Sequence, residues 1–336
     1  MRMHDTMAAR RSARPRSLRA GGWLVAAAAA AVAVTTAFAG TGSAATLHPT
    51  ASQSGHYWVS VRLHGQVVKV HTAGRWGIFP QHSAAGQRLA RQVSGRHPKA
   101  GNLTYHGGPV AHAPKVYVDF WGSQWKSDKR GTRKYMHNFF SGLGRSNDNW
   151  STITSQYTDS SGQGPHFTGA VLHGTWLDGS AAAPSHASAS ALGAEAVTAA
   201  KHFGVSGDDI QVIVVSPHGT HPDGFPNTGF CAWHSVASSG GADVPFTNMP
   251  YVLDAGASCA ANSVQGPLDG FSVVVGHEYA ETLTDPEAGN GWLDSSGAEI
   301  GDKCVGVNLF ALHLTTGSFA VQTLWSNKVS GCAAHS

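Results

Sequence analysis

The residues best placed to do chemistry lie in one stretch, Val275-Gly276-His277-Glu278-Tyr279-Ala280-Glu281-Thr282-Leu283-Thr284-Asp285-Pro286. A spacing of four sets His277 and Glu281 on one face of a helix. H-E-x-x-H motifs use that spacing to present two metal ligands, with the intervening Glu as general base. Here the second His is a Glu. A carboxylate oxygen also ligates zinc, at about 2.0–2.2 Å, so a zinc site survives the exchange. The site becomes harder and more anionic, which brings calcium and manganese into range behind zinc. The preceding Phe271–Gly276 is almost wholly apolar, so the helix is expected to be buried, with Asp269 or Ser272 capping its start and Pro286 bounding its end. On a buried helix Glu278, Glu281 and Asp285 would be costly like-charge neighbours without a cation.

A third ligand is then required. Glu299 and Asp302 lie 18 and 21 residues beyond Glu281, and thermolysin-type enzymes draw a third carboxylate ligand from a comparable distance. Glu299 is expected as the ligand, with Asp302 orienting a ligating histidine. Asp285, eight residues after His277, supports the same face. Of the histidines in the Gly-rich stretch Ser216–Pro267, read as a long loop, His234 is the candidate for the cleft, ahead of His218 and His221. No G-x-S-x-G elbow, P-loop or dinucleotide fingerprint occurs.

Several elements must position these residues. Lys115–Trp121, Phe167–His173 and the β-branched run Ile210–Val215 read as strands, Lys129–Leu143 and Ser185–Phe203 as helices. The alternation predicts an α+β (α/β layered) fold with a twisted mixed sheet; an active-site helix carrying H-E-x-x-E resembles the zincins and implies a zincin-like fold. Ile210–Val215, or a segment near it, could present an edge to an extended peptide. Residues 101–336 form the expected single domain. Residues 46–100, with one strand-like stretch at Tyr57–Leu63 and a basic segment from Gln87 to Lys99, read as a pro-segment or N-terminal extension with a linker.

Residues 1–45 carry six Arg against one acid, Asp5, then an apolar run and Ala37-Phe38-Ala39. That is the pattern of a secretory signal peptide. The remaining 17 basic and 19 acidic residues give no electrostatic case for nucleic acid, and no later segment has the length for stable membrane insertion once the leader is cleaved. In an exported chain, Cys231, Cys259, Cys304 and Cys332 are expected as two disulfides, with Cys231–Cys259 and Cys304–Cys332 the local pairing among three.

Five stretches resemble the Exordium-like, phosphate-induced family of secreted plant cell-wall proteins and its bacterial relatives. They are Leu103–Gly108, Phe230–His234, Gly276–Glu281, Glu299–Cys304 and Val321–Asn327. The plant pattern has H-E-L-A-E at His277–Glu281 and E-I-A-D-x-C at Glu299–Cys304, and favours Asn at the position of Asp285. The resemblance implies an extracellular protein and groups His277, Glu278, Glu281, Glu299 and Asp302 as one unit. The His/Glu pair on a buried helix of an exported chain predicts a secreted zinc hydrolase, a peptidase acting on peptide or protein substrates. In it His277, Glu281 and Glu299 hold the metal and Glu278 is the general base. The alternative is a non-catalytic extracellular binding or signalling protein at the cell wall, with a wall polymer as partner and a structural metal or acidic cluster.

Overall fold

A computed structural model describes residues 48–51, 57–63, 66–71, 76–93 and 101–336. The expected leader lies outside the described residues. In chain order the elements are β1 (His48–Ala51), β2 (Tyr57–Leu63), β3 (Gln66–His71), β4 (Trp76–Pro80), α1 (Ala84–Val93), β5 (Thr104–Tyr105), β6 (Lys115–Trp121), α2 (Thr132–Gly142) and β7 (Leu172–Asp178). There follow α3 (Ala189–Phe203), β8 (Ile210–Val215), β9 (Phe230–Ser239), β10 (Ala242–Met249), α4 (Asp269–Thr284), β11 (Trp292–Leu293), β12 (Phe310–Leu314), β13 (Gly317–Val321), β14 (Leu324–Ser326) and β15 (Gly331–Ala333). The fold is α+β, built on a mixed sheet.

That sheet runs β1-β2-β3-β9-β10-β8-β6-β7, with β4 also pairing β9. β10, β8, β6 and β7 are mutually parallel, whereas β9 is antiparallel to β10. β8 explains the parallel core: every residue of Ile-Gln-Val-Ile-Val-Val is buried, as a strand covered on both faces requires. α3 packs on one face, where its Gly193 meets Val70 of β3, and α2 and α4 pack on the other. The hairpin β12–β13 covers the far side of α4. Gln211, the one polar residue of β8, donates from its amide to Thr247 Oγ1 (2.7 Å), Thr282 Oγ1 (3.0 Å) and the Glu278 carbonyl (3.2 Å). It thereby ties the sheet to α4 at the middle of the motif.

Several sequence expectations are corrected. Ser216–Pro267 is not a long loop, since it contains β9 and β10. Their mixture of small, polar and aromatic residues hides a strand pattern because both faces are buried. Ile210–Val215 offers no edge, because β8 lies between β10 and β6. The strand expected at Phe167–His173 begins later, at Leu172, where it can pair with β6. Within Gln87–Lys99, residues up to Val93 are helical, and 94–100 lie outside the described residues. Within the region read as a pro-segment or N-terminal extension, β3 and β4 join the same sheet through β9.

Candidate metal centre

α4 is buried along its entire length, as a helix without a polar face must be. Neither expected cap acts as one. The Asp269 carboxylate accepts from the amides of Val264, Gln265 and Gly266, organising the preceding turn, and Ser272 Oγ donates to the Ala320 carbonyl of β13. At the other end, Asp285 accepts from the amides of Gly289, Asn290 and Gly291. Its carboxylate therefore holds the turn after the helix. Burial pushes its pKa up to about 6, against the pull of those amides.

The His277–Glu281 stretch of α4 lies against β9. His277 Nε2 lies 3.0 Å from Glu281 Oε1, one helical turn on. His234, on β9, points at the same helix: its Nδ1 is 3.3 Å from Glu278 Oε2 and 3.7 Å from Glu281 Oε2. Its Nε2 is 3.6 Å from Glu299 Oε1. Asp302 brings Oδ1 to 3.9 Å from His277 Nε2 and donates its amide to Glu281 Oε1 (2.9 Å). Two sets of donors converge, His277–Glu281–Asp302 and His234–Glu278–Glu281, each with all its atoms within 4.8 Å. Glu281 belongs to both.

The side chains of His234, His277, Glu278, Glu281 and Glu299 are fully buried, and this sets their electrostatics. Burial first, and then neighbouring carboxylates, holds Glu278 and Glu299 well above the usual carboxylate range. Burial, followed by the proximity of His277, lowers His234 to about 3, so its imidazole is neutral. His234 Nε2 and both oxygens of Glu299 make no hydrogen bond, although buried polar atoms are nearly always satisfied. Imidazole nitrogens and carboxylate oxygens are zinc donors. Ligands at about 2.1 Å from one tetrahedral ion stand about 3.4 Å apart, and the donor separations here bracket that spacing. The residues fit a divalent cation.

Outside α4, the positioning elements are a strand, a tight turn and two disulfides. Cys231–Cys259 ties the start of β9 to the segment before α4, and Cys304–Cys332 ties the Asp302–Cys304 turn to β15. Both are the local pairs expected from sequence. The orientation of His277 has a further contributor, Gln322, whose Oε1 lies 3.4 Å from His277 Nδ1 while its amide donates to the Gly301 carbonyl (2.8 Å). Gln322 lies in the terminal stretch Val321–Asn327, and its polarity at the end of an apolar strand was the available signal. Phe79 of β4 had none: it donates its backbone amide to Glu278 Oε1 (3.4 Å) and sets its ring edge-on to His277, with centroids 5.2 Å apart.

His218 and His221 stay apart from the cluster; the first pairs with Asp254 and the second bonds the Phe225 carbonyl. Trp125 and Trp150 are core residues, bonding the carbonyls of Val215 and Gln322. Among the described residues, no helix is long and apolar enough to cross a membrane. No protein-family model, curated protein or solved structure matches this chain.

Proposed function

We propose that the protein is a secreted metal-dependent hydrolase, a zinc peptidase of zincin-like build. The observation that carries this reading is the carboxylate of Glu299, which makes no hydrogen bond and is buried with His277 and with Glu278 and Glu281 of one helix. Closely packed buried acids are stable only if protonated or countered by positive charge. An antiparallel strand beside four parallel ones, with the motif helix beneath it, further supports the zincin-like layout.

In this reading His277 and Glu281 hold the cation, with a third donor from the Glu299–Asp302 segment. When bound, zinc supplies Lewis-acid activation of water and of a substrate carbonyl. Glu278 is the general base: it receives the proton of the attacking water and returns it to the leaving nitrogen. His234, at 3.3 Å from Glu278 Oε2, orients that carboxylate. Gln322 fixes the ring of His277 from its other nitrogen.

Metal analysis of the purified protein, paired with Glu278→Gln, tests the reading. Stoichiometric zinc that survives Glu278→Gln, with hydrolysis of labelled casein falling at least about 100-fold, is the expected result. Zinc well below stoichiometry, unchanged by His277→Ala, would overturn it.

A further inference from the structure

The outer edge of β9 is covered along its length by two N-terminal strands. β3 takes the C-terminal part, with Val68, Lys69 and Val70 opposite Ser239, Ser238 and Ala237. β4 takes the part that carries the site, with Trp76 opposite His234, Phe79 opposite Ala232 and Pro80 opposite Phe230. The β4 ladder is irregular, its register shifting on both sides of Phe79. There the strand turns its bonding away from β9 and toward the helix. Opposed residues of paired strands share a face, so Phe79 projects on the face of Ala232 and His234. Its ring is packed on His277, and its amide is given to Glu278.

Alternate amides of an edge strand point away from its neighbour and need another acceptor. The amide of Phe79 finds that acceptor in Glu278 while its ring lies against His277, so one residue touches both groups of α4. It is itself fully buried, and so are the residues it covers. The segment is held at its C-terminal end. Gln81 donates its backbone amide to Gly229 O (2.8 Å) and its side-chain amide to Pro226 O (2.7 Å) and Phe230 O (3.1 Å). His82 donates its amide to Ser258 O (2.8 Å). Pro226 and Gly229 precede β9, and Ser258 adjoins Cys259, so the anchor is fixed to the same frame as the site.

We propose that the outer edge of β9 beside α4 is a binding site for extended peptides, and that Trp76–Pro80 occupies it as an internal ligand. A peptide binds by adding as an antiparallel strand to β9 and placing an aromatic or large apolar side chain over His277. An acidic side chain is rejected there, because Glu278, Glu281 and Glu299 are already crowded. The chain's own segment competes with any external peptide for this place. The proposal deepens the peptidase reading by naming its substrate class, but peptide binding itself does not depend on the metal.

The experiment uses a fluorescein-labelled hexapeptide with the sequence of Trp76–Gln81, titrated by anisotropy into the purified protein in EDTA and again in zinc. The wild type, Phe79→Ala and Gln81→Ala are compared. Apparent affinity is the intrinsic affinity multiplied by the fraction of molecules whose β9 edge is free of Trp76–Pro80. Both variants should therefore bind the peptide at least about tenfold more tightly than wild type, in either buffer. Peptide with Asp in place of Phe should bind the variants at least about tenfold more weakly than the native sequence. Bound peptide should slow hydrogen exchange of β9 amides between Phe230 and Val236. If Phe79→Ala fails to fold, Gln81→Ala decides, since it removes no core side chain and cuts three side-chain hydrogen bonds, to Pro226, Phe230 and Ser83. A folded variant that binds no better than wild type, or that ignores the Asp replacement, overturns the proposal. Peptide binding without stoichiometric zinc would instead defeat the hydrolase reading alone.

Discussion

Gly301 approaches His277 so closely that a Cβ built on the glycine would lie 2.5 Å from His277 Nδ1 and 2.9 Å from Glu281 Oε1. The backbone of Gly301 is in an ordinary helical region, with φ −78°, so the constraint is space and not conformation. The bare backbone allows the Glu299–Asp302 segment to close over the helix, where the Gly301 carbonyl accepts from Gln322 and the Asp302 amide reaches Glu281. Gly301→Ala is expected to cost about 1–3 kcal/mol through overpacking and to lower zinc content together with stability. Urea unfolding and metal analysis of the same preparation check this. A variant with wild-type values for both would show that the segment can withdraw freely.

Glu281 is the residue where the motif departs from H-E-x-x-H, and it offers a test that depends on zinc. Ligand binding to the folded state adds about 2.7 kcal/mol at one hundred times the dissociation constant. Wild type should therefore melt at a higher temperature in zinc than in EDTA, and Glu281→Ala should lose that zinc-dependent increment. Glu281→His should keep part of it, because imidazole nitrogen ligates zinc at about 2.0–2.1 Å. Comparing the increment, not the absolute melting temperature, removes the separate cost of orphaning the Asp302 amide that Glu281 accepts. An undiminished increment in Glu281→Ala would remove this carboxylate from the metal.

Much of the cluster was legible because helical spacing is a local property. His277, Glu278 and Glu281 needed only a period of 3.6 residues and an apolar run before them. The cysteine pairs likewise followed from short separations. His234 was legible as a residue of interest but not as a strand residue. β9 is buried on both faces, so its sequence does not alternate, and its polar Ser235 and His234 imitate a loop. Phe79 was illegible for a different reason. It reaches Glu278 across 199 residues of chain, and nothing in the local pattern Trp-Gly-Ile-Phe-Pro encodes which distant edge it will join.

The disulfide Cys304–Cys332 closes a loop of 28 residues and fastens the turn that brings Asp302 to the helix. Cross-linking a loop of this length removes unfolded-state entropy worth roughly 3–4 kcal/mol. The double variant Cys304→Ala/Cys332→Ala should lose about that much stability in guanidinium unfolding, and zinc should bind more weakly because the turn is less well held. If zinc affinity is unchanged in the folded double variant, the turn is positioned by Gln322 and Glu281 alone.

A second buried carboxylate pair makes a prediction independent of the metal. Asp119 of β6 is fully buried and Glu195 of α3 nearly so. Burial raises Glu195 to about 7, and it raises Asp119 as well, with the charge of Glu195 adding to it. In the unfolded chain Glu195 returns to its ordinary value of 4.5. The folded state therefore binds the extra proton between those limits, and unfolding releases it. The stability this provides is complete below about pH 4.5 and is lost as pH rises through about 7, with a slope of at most about 1.4 kcal/mol per pH unit for one proton. Glu195→Gln carries no proton to lose. Its melting temperature should therefore gain on wild type from about pH 5 to about pH 7 in calorimetry and level off above that, where both states have lost the proton. A constant difference across that range would mean that Glu195 ionises in the folded protein much as it does in the unfolded chain.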